Sequence, residues 1–161
     1  MKNRNLAIFS VILLIIIGSV LKPPSGYSFL TPSFSIAGIM YWIIKNESPL
    51  SNYHIFLLGL LNDLFTGTPL GSSSLFYFIV KESISLLEGR LKKSGIVADL
   101  LKYIFGLTIY FFFIFIFIII YFANYPSVNY FIMSYFLTLF IFPIIYITLN
   151  WIESKIRQGQ A

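Results

Sequence analysis

Asp63 stands in a setting where a carboxylate is hard to keep. It lies in Gly-Leu-Leu-Asn-Asp-Leu-Phe-Thr-Gly-Thr-Pro-Leu-Gly, residues 59–71, beside Asn62 and within otherwise apolar sequence. An acidic side chain in such a place is costly and calls for a partner or a position near the interface. Lys81 and Glu82 add a charge of each sign on the next apolar segment. The rest of the inventory excludes most catalysis. His54 is the sole histidine, there is no cysteine, and the six Asp and Glu residues are scattered. The chain has no phosphate-cradling glycine loop ending in Lys-Ser or Lys-Thr, no nucleophile elbow, no paired carboxylates and no metal-ligand spacing. No residue is therefore assigned a catalytic, cofactor-binding or metal-ligating role, and His54 reads as an interfacial residue.

Composition indicates the surroundings of these groups. The 161 residues are 58% hydrophobic and 11% charged, with a mean hydropathy of +0.86, whereas soluble domains carry about 25% charged residues. So few charges cannot furnish a polar skin, and the bilayer is the expected solvent. The formal charge of +5 is dispersed between apolar runs, which argues for membrane topology and contact with lipid headgroups, and against a nucleic-acid partner.

A spanning helix needs about 20 apolar residues. Six runs qualify as candidates, at about 6–21, 31–44, 53–65, 72–87, 100–122 and 128–151, forming one polytopic membrane domain over 1–161. The second and third are short, so five spans remains an alternative. The first follows Lys2 and Arg4 but shows no signal-peptide cleavage pattern, and reads as an uncleaved helix. With the N-terminus inside, nine Lys and Arg fall on the cytoplasmic side, Lys22 falls outside and Lys81 lies within a helix. That asymmetry places both termini in the cytoplasm. Trp42 and Trp151 fall at inner helix ends, and Tyr121, Tyr125 and Tyr130 near an outer loop, as interfacial aromatic belts do. Residues 89–95, Gly-Arg-Leu-Lys-Lys-Ser-Gly, are expected to touch anionic headgroups. Pro143 is expected to kink the sixth helix and free carbonyls that a neighbour must satisfy.

On a helical wheel Gly59, Asn62, Asp63, Thr66 and Gly67 share an arc of about 140°, opposite Leu60, Leu61, Leu64 and Phe65. Ser74, Tyr77, Lys81, Glu82 and Ser85 share a similar arc on the next helix. Small residues at four-residue spacing let helices approach closely, and polar side chains then bond across the contact. Gly67, Pro69 and Gly71 suit the tight turn between the two. Asp63 should either lie near the interface or have a partner in this hairpin, with Lys81 the charge candidate and Ser72, Ser73 and Ser74 the nearer hydrogen-bonding candidates. The polar stripe reads as internal packing, as a partner surface or as a ligand pocket, and Lys81 can alternatively snorkel toward the cytoplasmic interface.

Gly59-Leu60, Asp63, Gly67 and Pro69-Leu70-Gly71 together resemble the signature of the MreD family of rod shape-determining proteins. Pro32, Tyr41-Trp42 and Pro49 are similar to that family's second helix, although Thr31 and Ser33 stand where family members often carry a basic and an acidic residue. The resemblance implies a non-enzymatic inner-membrane scaffold of the cell-wall elongation machinery. It also implies MreC, MreB, and RodA with its transpeptidase as partners, and a six-helix fold related to the substrate-binding components of energy-coupling vitamin transporters. A vitamin-binding role in such a transporter is the alternative. Those components carry a pair of alanines four apart on the first helix, where this chain has Ala7 and Val11.

Overall fold

The computed structural model describes residues 2–21, 33–45, 49–88, 95–123 and 127–158. They form helices α1 (Lys2–Val20), α2 (Phe34–Ile44), α3 (Asn52–Thr66), α4 (Ser72–Glu88), α5 (Ile96–Phe122) and α6 (Val128–Gln158), with no strand among the described residues. The all-α expectation holds. Three boundaries differ: α1 begins at Lys2, α5 at Ile96, and α6 continues to Gln158. An apolar run marks the part of a helix matched to hydrocarbon, whereas backbone hydrogen bonding continues through flanking charges. Asp99 in the first turn of α5 is moreover favourable for the helix dipole. The expected start of the second helix, residues 31 and 32, lies outside the described residues.

Only α5 and α6 among the described helices are long and apolar enough to cross a membrane, over Ile96–Tyr121 and Val128–Ile156. The helices α2, α3 and α4 have 11, 15 and 17 residues, short of the about 20 a span requires. Just 28% and 22% of the most apolar stretches of α5 and α6 are buried inside the protein. These two helices therefore turn most of their apolar surface outward, unlike the core helix of a soluble domain.

The centre of the bundle is α2, in which every residue from Ser35 to Ile44 is buried. Its sequence, Phe-Ser-Ile-Ala-Gly-Ile-Met-Tyr-Trp-Ile-Ile, has no polar face to turn outward. It packs on α1, α4, α5 and α6, while α3 packs on α1 and α4. The Trp42 indole donates to Ser10 Oγ on α1 at 2.9 Å. Trp42 is thus an internal strut between two helices, which corrects its expected place in an aromatic belt. Trp151 fits the expectation better, being exposed with the Lys155 ammonium 4.3 Å from its ring centroid.

Helix α2 is tied to α6 at both ends. The Ser33 N–H donates to Thr138 Oγ1 at 3.0 Å; at the other end Glu153 pairs with Lys45 and accepts from the Tyr41 hydroxyl at 3.3 Å. The Glu153 side chain is 6% and the Lys45 side chain 26% exposed, so Lys45 can regain water if its partner is lost. Glu153→Ala is accordingly expected to cost about 2 kcal/mol, below the 3–5 kcal/mol of a fully buried pair. Denaturant unfolding in detergent would check this; a change under about 0.5 kcal/mol would show the pair to be incidental.

Helix α6 runs unbroken through Pro143. A helix proline frees the carbonyl four residues back, here that of Leu139. The α5 hydroxyl of Tyr103 donates to the adjacent carbonyl, that of Thr138, at 2.8 Å, and its ring stacks on Phe142. The carbonyl that Tyr103 reaches is the one the Phe142 N–H can also use, not the one Pro143 frees.

Candidate functional site

Helix α3 ends because Gly67 takes the left-handed conformation, φ 73°, and returns its N–H to the Asp63 carbonyl at 2.8 Å. The Thr66 hydroxyl folds back onto the Asn62 carbonyl at 2.8 Å. The chain then turns through Thr68, Pro69 and Leu70, the Ser72 N–H donating to the Pro69 carbonyl at 3.1 Å, with Gly71 again at positive φ, 92°. An L residue with a side chain resists this region, so Gly67→Ala is expected to cost about 1 kcal/mol. Thermal unfolding would check it, and an unchanged midpoint would show that the turn tolerates other geometries.

Helix α4 begins where this turn ends, and its first amides have no intrahelical acceptors. The Asp63 side chain supplies them. The Gly71 N–H donates to Oδ2 at 2.7 Å and the Ser73 N–H to Oδ1 at 3.1 Å. The hydroxyls of Thr68 and Ser72 donate to Oδ1 at 2.7 and 3.2 Å. Asp63 is 1% exposed, yet both oxygens are engaged and the acidic group sits at the positive end of the α4 dipole. It is a cap delivered from the preceding helix, locking turn and hairpin together.

This geometry decides between the two partners the sequence offers. Lys81 donates instead to Asn52 Oδ1 at the start of α3, at the end of the hairpin away from the turn, and Glu82 is exposed. Neither joins the site. Ser74 belongs to the packing: its hydroxyl donates to the Phe56 carbonyl at 2.8 Å. Its backbone lies against Gly59 so closely that a Cβ there would fall 2.5 Å from Ser74 Cα and 2.6 Å from its N. Gly59, Asn62, Asp63, Thr66, Gly67, Pro69 and Gly71 thus gather at one hairpin end, as the wheel and turn chemistry anticipate.

Asn62 faces a neighbouring space. Its Nδ2 donates to Ser73 Oγ at 2.8 Å, and the Tyr77 hydroxyl donates to Ser35 Oγ on α2 at 3.1 Å. Asn62, Ser73 and Ser35 line a cavity of about 260 Å³ walled by Leu14, Phe76 and Phe117. The polar groups here are neutral, so the cavity favours a small uncharged molecule or water.

Several participants escape sequence reasoning. Thr68 enters through the turn and Ser35 through α2, where it meets the Tyr77 hydroxyl of α4, and the Glu153–Lys45 pair joins residues far apart in sequence. A buried Asp one turn before a glycine stop, followed by a serine-rich helix start, is a readable signal for the cap. His54 makes a local contact, its Nδ1 2.6 Å from Ser51 Oγ. Among residues carrying the family resemblance, Tyr41 and Trp42 are core struts and Pro49 is half-buried. Pro32 lies outside the described residues, as do 89–94 of the basic loop, Lys22 and Tyr125. No protein-family model, curated protein or solved structure matches this chain.

Proposed function

We propose that the chain is a multi-pass protein of the bacterial inner membrane, with both termini cytoplasmic, and a non-enzymatic scaffold of the cell-wall elongation machinery. MreC, MreB, and RodA with its transpeptidase are its proposed partners. The observation that carries this reading is the convergence of Gly59, Asp63, Gly67 and Gly71, the residues of the MreD-like stretch, on one structural task. Gly59 brings two helices into backbone contact, the two later glycines shape the turn, and Asp63 caps the helix that follows.

The outward apolar faces of α5 and α6 support membrane embedding, since each large side chain moved from water into an apolar medium gains about 1.5–3 kcal/mol. Six membrane helices are compatible with the shortness of α2: it is enclosed by other helices, so its length need not match the lipid. Lys45 and Lys155 lie at the end opposite the hairpin turn, which the positive-inside rule assigns to the cytoplasm. Asp63 is turned inward, so a partner meets the hairpin through exposed residues such as Leu64, Leu70 and Leu75. Deleting the gene from its host is expected to abolish rod shape, with restoration by the wild-type copy. Normal rods in the deletion strain would contradict the proposal.

The cavity beside Asn62 favours a second reading, a small-molecule-binding component of an energy-coupling transporter. Its volume of about 260 Å³ lies below the roughly 300–1,000 Å³ of small-molecule sites, and its polar groups are largely bonded to one another. Ala7 and Val11 of α1 are also fully buried, leaving that face no room to dock an energising subunit. A vitamin that raised the unfolding midpoint of the purified protein would reverse this ranking.

A further inference from the structure

At the end opposite the hairpin turn, a groove of about 530 Å³ lies between α5 and α6, lined by Ile96, Leu100, Pro143, Ile147, Asn150 and Trp151, among others. Its floor has a specific origin. Tyr146 does not fill the space: its hydroxyl reaches α5 to donate to Asp99 at 2.9 Å, and its ring meets Tyr41 edge-on at 5.5 Å between centroids. Along α6 the lining runs from Pro143 to Ser154, about 17 Å at 1.5 Å per residue. That is close to one leaflet, half of the roughly 30 Å hydrocarbon core.

The two ends of the groove differ in chemistry. Near Pro143 it is wholly apolar, while at the other end Asn150 offers a carboxamide and Trp151 an exposed indole with the Lys155 ammonium 4.3 Å from its centroid. Lys155 is exposed and forms no ion pair among the described residues; the nearby acidic side chains are engaged elsewhere, Glu153 by Lys45 and Asp99 by Tyr146. An apolar trough one leaflet long, with an amide, an indole and an unpaired cation at its mouth, matches one molecule: a phospholipid with an acidic headgroup.

We propose that the α5–α6 groove seats an acyl chain of an anionic phospholipid whose phosphate is held by Lys155 beside Trp151. The inference rests on membrane embedding, with this end cytoplasmic, and adds a lipid-specific site that scaffolding alone does not require.

The test uses the full chain in bilayers doped, at equal mole fraction, with phosphatidylglycerol or phosphatidylcholine brominated on the acyl chains. Bromine quenches nearby tryptophan, and a Trp151→Phe variant gives the signal of buried Trp42 to be subtracted. The Trp151 signal is expected to be quenched about fivefold more effectively by the anionic lipid, the ratio that corresponds to about 1 kcal/mol for one basic residue near a headgroup. In Lys155→Gln that ratio is expected to fall to about one, with Trp42 emission unchanged. Equal quenching by both lipids in the wild type would overturn the site, as would an undiminished preference in Lys155→Gln. No quenching by either lipid would overturn membrane embedding itself.

Discussion

Asp63→Leu is expected to destabilise the protein by about 3 kcal/mol. The substitution leaves four donors without their acceptor. The Thr68 and Ser72 hydroxyls can rotate toward other acceptors, but the N–H groups of Gly71 and Ser73 are fixed by the backbone. Each buried, unsatisfied donor costs about 1–3 kcal/mol, and the loss of the favourable acidic group at the α4 N-terminus adds to this. For a chain of this size about 2–4 °C accompanies each kcal/mol, so the midpoint in detergent should fall by about 6–12 °C. Asp63→Asn retains an acceptor oxygen and is expected to lose about half as much. Hydrogen exchange adds a local readout, because the Gly71 and Ser73 amides should lose protection in the Leu variant before the α2 amides do. A Leu variant within about 0.5 kcal/mol of wild type would refute the capping role.

Gly59→Leu is the second large effect. A Cβ at this position meets backbone atoms of Ser74, at 2.5 and 2.6 Å, so no rotamer change relieves it and α3 must move off α4. Overpacking of a formed contact costs about 1–3 kcal/mol, and the displacement also endangers the Ser74 bond to the Phe56 carbonyl and the Asp63 cap. We expect about 2 kcal/mol for Gly59→Ala and more than about 3 kcal/mol for Gly59→Leu, read from denaturant unfolding. Because the clash is with backbone, Ser74→Gly should fail to rescue Gly59→Ala. Full rescue would show that the serine side chain alone limits the approach.

The hairpin is the part of the molecule most legible from residues alone. The arc shared by Gly59, Asn62 and Asp63, and the glycines and proline after it, dictate two closely packed helices and a tight turn. The partner of Asp63 is legible only in part, because charge pairing nominates Lys81 whereas depth nominates the serines. In an antiparallel hairpin the residues opposite Asp63 are those just past the turn, and Lys81 lies two helical turns beyond them. Trp42 misleads for a related reason. A tryptophan at the end of an apolar run looks interfacial, but α2 is apolar on every side and belongs at the centre. The pairing of Lys45 with Glu153 has no local signal, since it depends on which helices become neighbours. The cavity beside Asn62 is equally invisible, being assembled from several helices.

The most direct test of the account is affinity purification of the tagged protein from its native membrane, wild type beside Asp63→Leu, with the bound proteins identified by mass spectrometry. MreC and the RodA synthase are expected to accompany the wild type and to be lost or strongly reduced with the Leu variant, whose hairpin no longer presents Leu64, Leu70 and Leu75 correctly. Recovery of an ATPase and its membrane coupling subunit in their place would contradict it and make the chain a transporter component.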